Sequence, residues 1–370
     1  MKTAVFTIVS VNYAAFAKTL MQSLAKTHPD WDRHVLFVDR HAQINDIADG
    51  EFDATLVESL PLPRMSEFLF RYGIMELNTA VKPYMFSHLR RLGYQHLVYI
   101  DPDILVLDRL IGVENLLNGG ATGVLTPHLT APLEDKRVPS ELDIMRAGSF
   151  NLGFLALGNT SQADEFIAWW ERKLEHGAVS APEKGLFTDQ KWVDLAPGMF
   201  EGFEILRDPG YNAAYWNLSH RRISHRQGKW FANDSALRFF HFSGFDPQNP
   251  KPFSKHQNRF DLETIGEAKN LALHYAELLI ANKVTQYRSD PYAFGKFDDG
   301  TAIPHSLRVL YREDAEVRFA AGENPFANSE FFLREEIGGL PVILRAVWLE
   351  HTHLQKAFPD PLGQNKAAYY

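Results

Sequence analysis

The sequence predicts an α/β protein built on an open, mostly parallel sheet flanked by helices, with a helical C-terminal subdomain. Three observations support this prediction. Short apolar runs rich in β-branched residues alternate with amphipathic stretches through the first half of the chain. A proline-rich segment, residues 246–255, then interrupts the alternation, because proline cannot continue a sheet. Beyond this segment the patterns are mainly helical, so we place the domain boundary between 1–258 and 259–370.

The first half contains most of the predicted sheet. Residues 4–11 form a short run interrupted by polar side chains, which favours a first buried strand over a secretion signal. Residues 14–26 place Phe16, Leu20 and Leu24 at helical spacing and predict the first helix. The elements predicted next are strands at 34–39 and 54–58, helices at 66–77 and 80–92, and a strand at 96–101.

The second half is more mixed. We predict a strand at 149–157, an amphipathic helix at 161–177 that ends at Gly177, and a strand at 236–244. Residues 261–284 predict a long helix. Ligands of open parallel sheets bind beyond the carboxyl ends of the strands, so functional side chains are expected there.

Composition excludes several classes of function. With 370 residues, 45% of them hydrophobic, the chain can bury a full core. A formal net charge of −8 leaves no basic field for a nucleic-acid partner. The chain has no cysteine, which excludes disulfides and thiolate ligands and leaves oxygen and nitrogen ligands for any metal. No apolar run approaches the roughly 20 residues that span a bilayer, so membrane contact is expected only at the periphery.

One apolar run, "LVYIDPDILVLD" (residues 97–108), stops for two carboxylates and then resumes. In an extended chain, residues two apart point to one side, so Asp101 and Asp103 are expected to share a space. Two carboxylates at a strand end suit Mg²⁺ or Mn²⁺, whose shell the oxygens of a nucleotide diphosphate complete. A simple polar turn is the alternative, because Asp and Pro are common turn residues.

Six stretches in order resemble the GT-A glycosyltransferases, and most closely the retaining group that includes glycogenin and the bacterial lipopolysaccharide galactosyltransferases. The stretches, which lie within roughly residues 3–255, are "TIVSVNYAAFAKTLMQSLAKTHP", "TAVKPYMFSHLRRLGYQHLVYIDPDILVLDRL", "FNLGFLAL", "TDQKWVDLA", "YNAAYW" and "HFSG". An ordered set of this kind is more specific than any single motif. The resemblance implies that residues 1–258 form a GT-A nucleotide-sugar-binding catalytic domain.

The resemblance also implies roles for individual residues. Asp101, Asp103 and His241 would hold the metal, and Asn151 and Asp189 would lie against the donor sugar as catalytic residues. The residues implied to bind the nucleotide or its diphosphate are Thr7, Asn12, Tyr13, Lys82, Asp101, Gly244 and Lys251. The lysine that follows H-x-x-G in the family comes late here, at Lys251, which puts that contact in doubt and leaves Lys255 as a second candidate.

The implied reaction is a transfer of a hexose from a nucleotide-diphosphate donor, with a UDP-sugar favoured, to a glycan or to a lipid-linked or polysaccharide acceptor. It would depend on Mn²⁺ or Mg²⁺ and retain the anomeric configuration. The resemblance suggests polysaccharide or lipopolysaccharide biosynthesis in the cytoplasm, with peripheral attachment to the inner face of the membrane as an alternative. The sequence does not indicate the oligomeric state.

Two other classes of function fit parts of the pattern. An apolar strand followed by D-x-D also opens the haloacid-dehalogenase-type phosphatases, in which Asp101 would be the nucleophile and Mg²⁺ the cofactor. A non-catalytic sugar-nucleotide-binding module on the same scaffold is the second alternative. In addition, Trp216 is a candidate for acceptor contact, and residues 129–146 and 246–255 are candidates for mobile covers over the site.

Overall fold

The computed structural model describes residues 1–40, 44–337 and 339–370. The strands are β1 (Thr3–Val9), β2 (Asp32–Phe37), β3 (Asp53–Leu56), β4 (His96–Ile100), β5 (Ile104–Val106), β6 (Gly123–Pro127), β7 (Phe150–Leu157), β8 (Ser180–Ala181), β9 (Leu186–Phe187), β10 (Phe203–Ile205), β11 (Ala213–Ala214), β12 (Ile223–Arg226), β13 (Lys229–Ala232), β14 (Ser235–Ala236), β15 (Phe239–His241), β16 (Glu336–Ile337) and β17 (Leu340–Pro341).

The α-helices are α1 (Ala14–Thr27), α2 (Ile44–Ala48), α3 (Met65–Arg71), α4 (Ile74–Ala80), α5 (Lys82–Arg91), α6 (Ile111–Asn118), α7 (Glu141–Ala147), α8 (Ser161–Gly177), α9 (Gln190–Val193), α10 (Ala196–Met199), α11 (Ala268–Ala281), α12 (Val284–Tyr287), α13 (His305–Glu313), α14 (Ala315–Ala321), α15 (Ser329–Arg334), α16 (Val342–Glu350), α17 (Thr352–Ala357) and α18 (Lys366–Tyr369). Among the described residues, none of these helices has the length and apolar character needed to cross a bilayer.

Contacts between residues divide the chain into two compact units. The first consists of residues 1–60 and 78–290, and the second of residues 61–77 and 291–370. Helix α11 therefore belongs to the first unit, although it lies beyond the boundary predicted after residue 258. The boundary after residue 258 stays a prediction about domain organisation. On the C-terminal side, the first compact unit ends at residue 290.

A seven-stranded sheet forms the centre of the first unit, in the order β10-β6-β7-β4-β1-β2-β3. Every neighbouring pair is parallel except the two pairs that involve β7. The predicted mostly parallel α/β sheet with flanking helices and a helical C-terminal region is thus confirmed. Strand β4 is fully buried, as its apolar residues LVYI indicate for a central strand.

The reversed direction of β7 positions the site. Its first residue, Phe150, pairs with Pro127 at the end of β6, and Phe154 pairs with Ile100 at the end of β4. The beginning of β7 therefore lies at the same edge of the sheet as the carboxyl ends of its two neighbours. Asn151, at the second position of β7, is placed beside the residues that follow β4 and β6.

A second, three-stranded sheet has the strand order β11-β15-β5. It is connected to this edge because β5 follows the end of β4 after three residues. Strand β15 is antiparallel to β5, with His241 opposite Ile104, and parallel to β11, with His241 opposite Ala214. The backbone N–H of Phe242 donates to the carbonyl of Asp103 at 2.8 Å. This small sheet therefore fixes His241 against the turn that carries Asp103.

Helices anchor the central sheet through buried apolar faces. Helix α1 contributes Leu20, Met21 and Leu24 to one core cluster, as its helical spacing predicts. Helix α8 begins after Thr160, whose side chain accepts from the N–H of Ala163 and caps the helix.

The second unit has its own buried polar anchor. Arg308 of α13 is 3% exposed, and its guanidinium donates to the carbonyls of Phe70 at 2.5 Å and Tyr72 at 2.8 Å, and also to that of Phe294. Because a buried guanidinium must place its N–H groups on acceptors, Arg308 ties residues 61–77 to the C-terminal helices of this unit.

Candidate metal and nucleotide site

A turn at the end of β4 carries the two aspartates. The N–H of Asp101 donates to the carbonyl of Gly153 at 2.8 Å, which continues the pairing with β7, and the N–H of Ile104 donates back to the carbonyl of Asp101 at 3.2 Å. The chain therefore turns between Asp101 and Ile104 and does not stay extended. The predicted shared space for Asp101 and Asp103 is found, but a turn produces it, not strand alternation.

Asp101, Asp103 and His241 converge on one point. One ligand atom from each lies within 4.8 Å of the other two. Nε2 of His241 is 3.0 Å from Oδ1 of Asp103 and 3.8 Å from Oδ2 of Asp101. Two carboxylates and an imidazole form a donor set that suits Mn²⁺ or Mg²⁺, so the three residues predicted as metal ligands are brought together.

Asn151 sets the proton position on His241. The amide oxygen of Asn151 lies 3.2 Å from Nδ1 of His241, so Nδ1 carries the proton when the ring is neutral, and the lone pair of Nε2 then faces the two aspartates. Orientation of an imidazole by a hydrogen bond from its other nitrogen is typical of metal-binding histidines. Asn151 is therefore placed to prepare His241 for a cation.

The charges of the cluster depend on one another. Burial raises the pKa of Asp101, the charge of Lys82 opposes this increase, and the charge of Asp103 adds to it. Burial lowers the pKa of His241, but the carboxylates of Asp103 and Asp101 outweigh burial, so its pKa is raised. A divalent cation bound between two acidic side chains of this kind would reduce the repulsion between their negative charges.

A buried polar network surrounds Asn151, and the sequence reasoning missed most of it. Nδ2 of Asn151 lies 3.2 Å from Nε2 of His128, and Nδ2 of Asn212 donates to Oδ1 of Asn151 at 3.0 Å and to Oγ1 of Thr126 at 2.8 Å. Burial lowers the pKa of His128 to about 4, so its ring is neutral. His128 directly follows β6, and this position at a strand end was the signal available in the sequence.

Gln190 and Trp216 complete the support of the site. Oε1 of Gln190 accepts from the N–H of Leu152 at 2.9 Å, which holds the beginning of β7. Trp216 is 3% exposed, and its ring packs edge-on against His241 with centroids 5.1 Å apart. A side chain this deeply buried supports its neighbours, so the predicted acceptor contact of Trp216 is not supported by the structure.

Lys82 and Asp189 form a buried ion pair. Nζ of Lys82 lies 2.5 Å from Oδ2 of Asp189, and the two side chains are only 2% and 3% exposed. Lys82 also donates to the carbonyl of Leu152 at 3.0 Å, and Oδ1 of Asp189 accepts from the hydroxyl of Thr188 at 3.1 Å. The residue predicted to contact the nucleotide and the one predicted to contact the sugar are therefore paired with each other.

Tyr99 connects this ion pair to the metal cluster. Its hydroxyl donates to Oδ1 of Asp101 at 2.5 Å, and Nζ of Lys82 lies 4.0 Å from the centre of its ring. Burial, followed by the charge of Asp101, raises the pKa of Tyr99 well above its usual value, so its hydroxyl stays protonated. Tyr99 thus leaves the other oxygen of Asp101 for the cluster.

The residues predicted to line the nucleoside pocket lie within β1 or just after it. Thr7 is fully buried within that strand, and its hydroxyl has no hydrogen-bond partner among the described residues. Oδ1 of Asn12 also has no hydrogen-bond partner among the described residues. Tyr13 is 43% exposed and stacks on Phe16 with centroids 4.7 Å apart, which leaves one ring face available. Unpaired polar atoms and an exposed aromatic ring fit a nucleoside.

Gly244 requires a glycine, whereas Lys251 does not reach the site. Gly244 has φ +72°, and a Cβ there would lie 2.5 Å from Cδ2 of His256 and 2.8 Å from Oγ of Ser254. Lys251 is exposed, and no contact joins its side chain to the metal cluster within the described part of the chain. Lys255 is also exposed, and only its backbone N–H contacts Gly244, donating to the Gly244 carbonyl at 3.1 Å.

The first predicted cover, residues 129–146, is joined to the chain that follows the second cover. Arg259 donates to both carboxylate oxygens of Asp135, at 2.7 and 2.8 Å, and Oδ1 of Asn258 accepts from the N–H of Val138 at 2.8 Å. This bidentate pair connects residues 129–146 to the chain just after residues 246–255.

Gly153 provides a test of how closely the cluster is packed. A Cβ at this position would lie 2.5 Å from Cε1 of His241, 2.8 Å from Oδ1 of Asn151 and 2.9 Å from Oδ2 of Asp101. We therefore expect Gly153→Ala to displace these side chains and to cost about 1–3 kcal/mol of unfolding free energy. Urea unfolding measures the cost. Gly198→Ala is the matched control, because a Cβ there meets nothing within 4 Å; equal stability of the two variants would contradict the packing described.

Two known proteins are similar in sequence to part of this chain. No protein-family model matches it. It is 32% identical over 139 residues to the uncharacterized protein YfnD of Bacillus subtilis strain 168, and 29% identical over 99 residues to the uncharacterized protein YfnF of the same strain. These matches cover 37% and 26% of this chain, and they span 43% and 33% of the lengths of the two relatives, less than half of each.

Several solved structures are similar to the chain. The galactosyltransferase LgtC, in complex with donor and acceptor sugar analogs, matches with a TM-score of 0.44 at 15% identity, over 84% of this chain and 99% of its own. The glycosyltransferase GlyE of Streptococcus pneumoniae TIGR4 matches with a TM-score of 0.45 at 14% identity, over 80% and 67%.

Proposed function

We propose that this protein is a metal-dependent glycosyltransferase that moves a sugar from a nucleotide-diphosphate donor to a carbohydrate acceptor. The observation that carries the proposal is the convergence of Asp101, Asp103 and His241 within 4.8 Å of one another, beside the strand ends where a nucleotide would bind. The ordered motifs that resemble GT-A glycosyltransferases support it independently. A UDP-sugar is the favoured donor.

The proposed cofactor is Mn²⁺ or Mg²⁺, held by Asp101, Asp103 and His241. When bound, such a cation stabilises the negative charge that develops on a departing diphosphate. The protein contributes a fixed donor set: Tyr99 holds one oxygen of Asp101 at 2.5 Å, and Asn151 holds the ring of His241 at 3.2 Å. Because these side chains are already oriented, little reorganisation accompanies binding.

The environment of Asp189 supports a role in positioning the donor sugar, together with Asn151. One carboxylate oxygen of Asp189 is paired with Lys82 and the other accepts from Thr188. A carboxylate engaged in this way is poorly suited to remove a proton from an acceptor hydroxyl, which is the step that inversion requires. We therefore propose transfer with retention of the anomeric configuration.

The nucleoside is proposed to lie against Thr7, Asn12 and Tyr13, with the base stacked on the exposed face of Tyr13. Gly244 would allow close approach of the diphosphate, and Lys82 would supply positive charge near it. Lys251 would have to move to take part.

We propose a glycan or a lipid-linked or polysaccharide acceptor, such as one used in bacterial polysaccharide or lipopolysaccharide assembly. The proposed location is the cytoplasm, with peripheral contact to the inner face of the membrane where the acceptor is lipid-linked. These assignments follow from the sequence resemblance and from the carbohydrate chemistry of the proposed site.

A thermal-shift panel tests the function. Nucleotide diphosphates and their sugars are added with Mn²⁺ or with EDTA, and the melting temperature is recorded. A ligand that binds only the native state stabilises it by about 2.7 kcal/mol at one hundred times Kd, so a UDP-sugar with Mn²⁺ is expected to raise the melting temperature by several degrees. EDTA should remove the increase.

Activity assays run beside the panel separate the alternatives. Hydrolysis of p-nitrophenyl phosphate without any response to nucleotides would favour the phosphatase and overturn the proposal. If the protein binds a nucleotide sugar but neither transfers the sugar nor slowly hydrolyses the donor, the non-catalytic module would be favoured.

A further inference from the structure

The first unit contains a second pocket, with a volume of about 530 Å³, that shares no lining residue with the metal cluster. It lies between the chain around β12 and the residues that lead into helix α11. Three arginines, Arg221, Arg222 and Arg226, line it together with Ser224 and one acidic residue, Glu267. Three cationic side chains against one carboxylate give this pocket a positive charge, although the whole chain carries −8.

Arg221 is a buried cation without a counter-ion. It is 2% exposed and forms no ion pair with any described residue. Its Nη1 donates to the carbonyls of Pro209 at 3.2 Å and Tyr211 at 2.6 Å, whereas its Nε has no hydrogen-bond partner. Arginine is almost never fully buried unless it is paired, because removing its charge from water costs free energy.

The pKa of Arg221 also reflects the burial of its charge. Burial lowers the pKa of Arg221 to about 10, and the charge of Asp208 opposes the decrease without cancelling it. An anion in the pocket would compensate the buried charge. Such a ligand would therefore stabilise the folded protein.

The acidic residue of the pocket is already engaged. The carboxylate of Glu267 accepts from the backbone N–H of His225 at 2.6 Å. The guanidinium of Arg222 is exposed and has no hydrogen-bond or ion-pair partner among the residues that the structure describes. The guanidinium of Arg226 donates to the carbonyl of Asn233 at 3.2 Å and lies 3.9 Å from Oδ1 of Asp234, an exposed ion pair that is weak enough to be exchanged for a ligand. The charges of Arg221 and Arg222 have no such partner to exchange within the described part of the chain.

The start of helix α11 adds a second attraction for anions. Residues 264–267 line the pocket and lead directly into this helix, which has 14 residues. Its N-cap residue, Glu267, makes no side-chain capping hydrogen bond. The N–H groups of Lys269 and Asn270 donate to the carbonyls of Gly266 and Glu267 at 3.1 and 3.0 Å, which leaves the N–H of Ala268 without a cap among the described residues. Helix N-termini attract negative charge through these N–H groups and the helix dipole.

We propose that this pocket binds the oxyanion group of a small acidic ligand, a phosphate or a carboxylate, through Arg221, Arg222 and Arg226. Guanidinium groups suit both anions because their N–H groups form paired hydrogen bonds with two oxygens. The pocket is a ligand site in addition to the proposed donor site. It does not depend on the proposed sugar transfer.

Thermal-shift titrations with inorganic phosphate and with acetate test the proposal and distinguish the two anion types. They are run in EDTA against sodium chloride of equal ionic strength. Arg222→Gln and Arg226→Gln remove exposed charges from the pocket, whereas Arg207→Gln removes an exposed charge outside it. Arg221→Lys keeps the buried charge but not the paired N–H groups.

At least one of the two anions is expected to raise the melting temperature of the wild-type protein and of Arg207→Gln. The affinity should fall about tenfold in Arg222→Gln or Arg226→Gln, since each removes a charge-assisted hydrogen bond. Asp103→Asn should keep the full response, which separates this site from the proposed metal site. The proposal would be overturned if Arg221→Lys, Arg222→Gln and Arg226→Gln all responded like the wild type. It would also be overturned if the wild type responded to neither anion.

Discussion

Replacing Asp103 by asparagine is expected to abolish Mn²⁺-dependent nucleotide binding while leaving the fold intact. Asparagine has almost the same shape, and the backbone contact from Phe242 to the carbonyl of Asp103 does not involve the side chain. The substitution removes one of the two negative charges in the cluster. Metal–ligand electrostatics contribute several kcal/mol, so we expect turnover to fall by at least about 100-fold.

Asp108→Asn is the matched control for this variant. Asp108 lies in the same apolar run, outside the cluster, and pairs with Arg238 at 2.7 Å with 42% of its side chain exposed. Loss of an exposed ion pair costs about 1 kcal/mol or less, so nucleotide binding should be unchanged. Calorimetric titration of UDP with Mn²⁺ measures binding, and circular dichroism checks the fold. Wild-type binding by Asp103→Asn would refute the metal site.

The sequence predicted the elements whose signals are local. Helix α8 spans Ser161–Gly177 as predicted, because a threonine cap and a C-terminal glycine mark its ends. Helix α11 begins at Ala268, seven residues after the predicted start at 261, because Gly266 has φ +61° and cannot continue a helix from the preceding residues. Local propensity is therefore a good guide except where one backbone angle decides the boundary.

The arrangement of the site depends on contacts between distant residues, which periodicity does not encode. Asp101 and Asp103 were expected on an extended strand, but their carboxylates meet His241 through a turn and a separate small sheet. Asn151 reaches His241 because β7 runs antiparallel to both of its neighbours, and strand direction depends on the connections between elements.

Breaking the buried pair of Lys82 and Asp189 is the second change with a large expected effect. Either Lys82→Met or Asp189→Asn would leave the remaining charge buried and unpaired, with 2% or 3% of its side chain exposed. Such a loss costs about 3–5 kcal/mol of unfolding free energy. Urea unfolding of each single variant measures this cost.

The double variant, with Lys82→Met and Asp189→Asn together, distinguishes structural from functional roles. Removing both charges should be less destabilising than the sum of the two single changes, because no unpaired charge remains. Asp30→Asn is the control: it breaks the exposed pair with Arg109, 2.8 Å long and 41% and 54% exposed, and should cost about 1 kcal/mol or less.

The decisive comparison is between stability and donor binding in this double variant. If the pair only holds the fold together, recovery of stability should bring recovery of nucleotide binding. We expect stability to recover while binding of a UDP-sugar with Mn²⁺ stays at least about tenfold weaker, since the proposed role of Lys82 is to place a positive charge near the diphosphate. If the unfolding free energy of each single variant lay within about 1 kcal/mol of the wild-type value, Lys82 and Asp189 would not form an ion pair that is shielded from water.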